Sequence, residues 1–233
     1  MRFFSALKGD IRYHIKYGFY FLYMFISALY IIGLFMCPYE YKGFAASIII
    51  LTDPAMLGSF FIGGIWLLER QEGLHRFWGI SPLKPLEYVL SKAVSLAFIS
   101  ALSAVLIVAI GLQETHNYLL LTASVFMGSV VFNIIGLIIA SYARSVNHYM
   151  LIAIPPVTLL TVPSLLTAFG SIHPLLEISP GTALWRMIGY SLGIADTPVL
   201  WVWGVQVLFA ALGLYYANCR IPAAMQTEGN QKA

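Results

Sequence analysis

Six stretches of this chain are too long and too apolar for anything but a hydrocarbon layer. They are residues 17–37, 44–68, 91–112, 118–142, 149–169 and 198–217. Each runs for about 20 residues or more, the length a helix needs to cross a bilayer core. A soluble helical core is also apolar, but its helices keep a polar face toward water, and these stretches are apolar all round. Composition agrees. Only 10% of the 233 residues are charged, against roughly 25% in soluble domains. That excludes an ordinary cytosolic domain, a disordered chain, and a nucleic-acid binder relying on a basic surface.

Lys and Arg in short loops set orientation. With the N-terminus inside, the inner segments hold Arg2, Lys8, Arg12, Lys16, Arg70, Arg76, Lys84, Lys92, Arg144, Arg220 and Lys232. The outer loops hold only Lys42 and Arg186. Both termini are therefore expected in the cytoplasm. Cys37 and Cys219 fall on opposite sides of the membrane, so no disulfide joins them.

Three segments between the spans are informative. In residues 1–16, Phe4, Leu7, Ile11 and Ile15 recur at helical spacing, with Lys8, Arg12 and Lys16 on another face. That pattern predicts an amphipathic helix lying in the inner interface, its cations near anionic lipid. Residues 69–90 form the main cytoplasmic loop, which is dense in charge yet also carries Leu74, Phe77, Trp78 and Ile80. Gly79 and Pro82 bracket a turn, and residues 72–78 suit a short surface helix. Such a half-apolar surface points to burial in headgroups or against a partner. Residues 170–197 form the long outer loop. Its apolar pieces 172–178 and 183–192 are each too short to span. They fit either a re-entrant helical hairpin, which needs protein or water over its backbone, or a surface loop with one interfacial helix.

The chemistry is mostly a set of absences. Asp53 is the one acid near a span centre, where buried charge is costly and usually functional. Asp53 is either the N-cap of a helix starting at Pro54, or part of a longer helix kinked there and facing a cavity. The five His lie at span ends or in loops, and none sits at metal-ligand spacing. No span holds a Ser with a His, or an acid pair, for intramembrane hydrolysis. There is no Gly-Lys dipeptide, so the phosphate-cradling loop is absent and any ATP must be bound by another chain. Ser59 with Gly63, Ser124 with Gly128, and Gly136 with Ala140 offer small faces for close packing. Asn133 and Gln206 are mid-span groups suited to hydrogen bonds between helices. Pro155, Pro156 and Pro163 predict a broken, hinge-like fifth helix.

The layout resembles the ABC-2-type transporter permeases. The resemblance rests on Gly63-Gly64-Ile65-Trp66-Leu67-Leu68-Glu69-Arg70-Gln71-Glu72-Gly73, then Ser81-Pro82-Leu83, then Tyr88-Val89-Leu90-Ser91-Lys92. Within that family the chain looks most like bacterial fluoroquinolone or multidrug export permease subunits, which share an opening like Arg2-Phe3-Phe4-Ser5-Ala6-Leu7-Lys8 and an Asp53-Pro54 step. It covers essentially the whole chain as one transmembrane domain. It implies an all-α membrane protein of six transmembrane helices with a cytoplasmic coupling helix between spans 2 and 3. It also implies a coupling set of Glu69, Arg70, Glu72, Gly73, His75, Arg76, Phe77 and Trp78 docking on a separate ATPase subunit that binds ATP and Mg, and a second permease, identical or paralogous. Where the family has Thr after the coupling Gly, this chain has Leu74.

The reading is thus an export permease for a hydrophobic or amphipathic compound, with no catalytic residue or metal of its own. The cargo path is expected along the second and fifth spans, past Asp53, Ser59, Gly63, Thr158 and Thr161. Two other readings stay open, an ion-coupled secondary carrier using Asp53 and a non-transporting scaffold.

Overall fold

The structure is a computed structural model that describes residues 2–80, 83–113, 116–195 and 199–230; residues 81, 82 and 198 and Lys232 lie outside them. Among the described residues the chain is helical without strands. The helices are α1 (Arg2–Lys16), α2 (Phe19–Met36), α3 (Tyr39–Ile50), α4 (Leu57–Gln71), α5 (Leu74–Ile80), α6 (Pro85–Gly111), α7 (Tyr118–Ala140), α8 (Val146–Ala168), α9 (Pro180–Ser191) and α10 (Val199–Asn230). Six stretches are long and apolar enough to cross a membrane: α2, the joined α3–α4 unit, α6, α7, α8, and Leu200–Met225 of α10. Each matches one of the six apolar runs. The second and last extend furthest beyond the expected ends, because polar residues at a helix terminus interrupt an apolar run without interrupting the helix.

α6 and α7 form the buried centre, while α2, α8 and α10 expose most of their length. Small residues let backbones approach. A Cβ on Gly136 of α7 would lie 2.5 Å from the carbonyl oxygen of Ser59 on α4. Polar side chains bridge helices too: Asn133 Nδ2 donates to the Ala93 carbonyl of α6 at 3.0 Å, and Gln206 Nε2 to the Pro180 carbonyl of α9 at 2.8 Å.

Three details differ from the sequence reading. Asp53 is not an N-cap. α3 and α4 are joined by a π turn, Leu51–Ala55, into one unit of 33 residues, Tyr39–Gln71. Proline has no N–H for the α ladder, and a wider turn absorbs the defect at Pro54. Second, the fifth helix is unbroken, with Pro155, Pro156 and Pro163 all inside α8. Prolines are tolerated in a membrane helix that neighbouring elements support, and hydroxyls add bonds to other carbonyls of α8: Thr161 donates to Val157 at 2.6 Å, Thr167 to Pro163 at 2.9 Å, and Ser179 to Leu160 at 2.7 Å. Third, only one arm of the outer pair is a helix of length. The first is a single 3-10 turn, Leu176–Ile178, after the exposed Ile172 and Leu175. Pro174 leaves too few residues there to nucleate an α-helix. The second arm, α9, is almost wholly buried against its neighbours, and the Arg186–Glu177 ion pair closes the turn onto it.

α1 docks by a stripe that the apolar pattern did not reveal. Ala6, Asp10 and His14 are its buried residues, one turn apart, while Phe4 and Ile15 stay exposed. His14 is fully buried among Tyr13, Phe19 and Tyr20, and neither ring nitrogen has a hydrogen-bond partner among the described residues. Burial, and next the Lys92 ammonium, push its pKa from 6.5 down to about 4. The folded chain therefore keeps His14 neutral where the unfolded chain binds a proton. Stability is full above pH 6.5 and falls as pH drops toward 4. Thermal unfolding in detergent should show that decline, and His14→Phe should flatten it across this window. An unchanged slope in the variant would show that His14 is not its source.

Candidate functional site

The start of α6 organises the end of the bundle where α1 and α5 lie. Glu87 accepts the Lys84 N–H at 2.8 Å and caps the helix. From there Tyr88, Ser91, Lys92 and Ser95 share one face at helical spacing. Lys92 is fully buried, which demands a counter-charge. Two carboxylates supply it. Lys92 Nζ donates to Asp10 Oδ1 of α1 at 2.9 Å and to Glu69 Oε1 of α4 at 2.5 Å. The remaining oxygens are satisfied as well: Ser91 donates to Asp10 Oδ2 at 2.6 Å and Tyr88 to Glu69 Oε2 at 2.8 Å. The ammonium also lies 4.9 Å from the Tyr88 ring centre and 6.0 Å from that of Trp78 on α5. One cation thus ties α1, α4, α5 and α6 together.

This geometry sorts the expected coupling residues. Glu69 points inward to Lys92, not outward to a partner. Glu72 is exposed, yet it accepts hydrogen bonds from Tyr13, at 3.1 Å, and from Tyr17 at the end of α1. Burial, and then Glu69 and Glu72, hold the Tyr13 phenol well above its ordinary pKa. Arg70 donates to the Ala143 carbonyl at 3.0 Å. Gly73 has φ +74°, the left-handed step that ends α4 and costs a glycine little. In α5, His75 is buried 4.2 Å from the Trp66 ring centre, and Trp78 packs 5.6 Å from that of Tyr88. Phe77 points outward, 60% exposed. The side chain of Arg76 is outside those described. The sequence reading missed Asp10. Its only signal was one acid within a basic helix, four residues from Ala6 and from His14.

The expected path residues gather only in part. Ser59 and Gly63 of α4 are buried beneath Tyr149 of α8, whose hydroxyl donates to the Ser59 carbonyl. Thr161 reaches the same seam, 3.2 Å from Met56 Sδ. Thr158 points away and is exposed. Asp53 lies apart, facing the Tyr30 hydroxyl of α2. The seam is closed in this conformation, with Tyr149 filling it.

Lys92→Met should destabilise the chain by about 3–5 kcal/mol, because it strands two buried carboxylates. Adding Asp10→Asn and Glu69→Gln to Lys92→Met should recover most of that loss. Thermal unfolding in detergent reads both, and a triple variant no more stable than the single one would contradict the network.

Comparison with known proteins supports the membrane layout. The family model of the fluoroquinolones export permease proteins matches residues 1–221. Two curated relatives are similar: fluoroquinolones export permease protein MT2761 of Mycobacterium tuberculosis (strain CDC 1551 / Oshkosh) and fluoroquinolones export permease protein Rv2687c of strain ATCC 25618 / H37Rv. Each is 25% identical over 158 residues, covering 68% of this chain and 67% of the relative. No solved structure matches. The match takes in five membrane-crossing helices, most of the sixth and the Lys92 node, and the chain belongs to the fluoroquinolones export permease protein family.

Proposed function

We propose that this chain is the membrane-spanning permease subunit of an ATP-driven exporter in a bacterial cell membrane, moving a hydrophobic or amphipathic compound outward. The relatives' names make a fluoroquinolone-like drug the first cargo to try. The partners are an ATPase subunit holding ATP and Mg, a second permease, identical or paralogous, and membrane lipid. The skew of Lys and Arg toward one side supports cytoplasmic termini.

One observation carries the reading. α5 presents Phe77 to the outside while His75 and Trp78 anchor its other face to Trp66 and Tyr88. An exposed aromatic on a rigidly backed helix is the form of a docking point. A thrust on α5 passes through Trp78 and Tyr88 to Lys92, and from there to α1, α4 and α6 together. Withdrawal of Tyr149 from the Ser59–Gly63 surface then opens the seam between α4 and α8, with the prolines of α8 as flexible points. Glu69 acts here by holding the node, and Glu72 by fixing the loop to α1.

The second reading is an ion-coupled carrier, favoured by the buried, mid-span Asp53. The two separate at α5. Phe77→Asp should cut ATPase co-purification at least tenfold and abolish export while leaving the melting temperature unchanged, since Phe77 contributes little to packing. Undiminished co-purification and export would reject α5 as the docking point.

A further inference from the structure

Asp53 sits in the middle of the unit Tyr39–Gln71, about 21 Å along the helix from one end and about 27 Å from the other at 1.5 Å per residue. It is 5% exposed. The other two buried acids, Asp10 and Glu69, share Lys92. Among the described residues, Asp53 has only the Tyr30 hydroxyl, and no Lys, Arg or His pairs with it. A carboxylate at that depth without a cation is costly. It is also held in the π turn that Pro54 imposes, and such turns are frequent at functional sites.

A second buried acceptor lies on α7, against Gly58 of the same unit. Asn133 is fully buried, and its Nδ2 is spent on Ala93 while Oδ1 has no partner. Oδ1 lies 2.4 Å, and the Tyr23 hydroxyl 3.2 Å, from where a Cβ on Gly58 would stand. Tyr23 and Tyr30 share one face of α2, seven residues apart. Two buried acceptors short of donors thus stand along the Tyr39–Gln71 unit, Asp53 toward Tyr30 and Asn133 toward Tyr23 of α2. What satisfies Asp53 is an apolar molecule bringing its own positive N–H groups.

We propose that Asp53, with Tyr30 beside it, is the docking point for the protonated amine of a cationic amphiphile during its passage. This rests on the export reading above and names the cargo's chemical class. The ammonium takes the carboxylate beside Tyr30. The apolar body lies along α2.

The test pairs two probes in cells expressing the chain with its ATPase: a piperazinyl fluoroquinolone, whose amine is protonated, and its N-acetylated derivative, whose nitrogen is not. Accumulation of each is measured with wild type and with Asp53→Asn, alongside ATPase co-purification. The expected result is at least a tenfold loss of amine export in Asp53→Asn, with export of the acetylated probe and co-purification unchanged. Equal export of the amine by the variant would overturn the proposal. Loss of both probes would overturn it too, by making Asp53 a general structural or coupling-ion residue. If wild type exports neither probe, the export reading fails first and this inference falls with it.

Discussion

Everything at the α1–α5 end of this bundle is arranged around one ammonium that cannot reach water. Lys92 is fully buried, and a lone charge there would be prohibitive. Two carboxylates from distant parts of the chain converge on it, and Tyr88 and Ser91 complete their hydrogen bonds. Buried ion pairs are seldom a net source of stability, and their best-attested use is to fix one arrangement. Here the arrangement fixed is the seat of α1 against α4 and α6, and with it the pose of the α5 loop.

That constraint explains how a short helix could serve as a lever. α5 alone has too few residues to be rigid in water. Trp78 on Tyr88 and His75 on Trp66 attach it to α6 and α4, whose Lys92 and Glu69 meet Asp10 of α1 at the node. The same α4 continues through the π turn to Asp53 and packs, at Ser59 and Gly63, against Tyr149. The node, the closed seam and the buried acid thus lie on one continuous helical unit.

The six spans were legible in the sequence because bilayer thickness sets a length that only long apolar runs satisfy. Asn133 and Gln206 were legible as interhelical donors for a related reason, since apolar surroundings offer a buried amide few other partners. The node was not. Asp10, Glu69 and Lys92 are separated by up to 82 residues, and each alone reads as ordinary loop or interface charge. The family resemblance turns Glu69 toward a partner, whereas its depth depends on how α4 meets α6. The prolines of α8 point to a break because proline's lost hydrogen bond is local, whereas the support that keeps α8 continuous, Ser179 on the Leu160 carbonyl included, comes from beyond the helix. Asp53 had two readings because Asp-Pro suits both a cap and a distorted interior, and only the continuity of Tyr39–Gln71 decides between them.

As the proposed membrane half of an ATP-driven exporter, the chain should move no cargo by itself. Reconstitution into liposomes checks this, comparing cargo movement by the purified chain alone with that of the complex purified from native membrane. ATP-dependent transport is expected from the complex and none from the chain alone, under any imposed ion gradient. Transport by the isolated chain, driven by a proton gradient without ATP, would contradict the proposal.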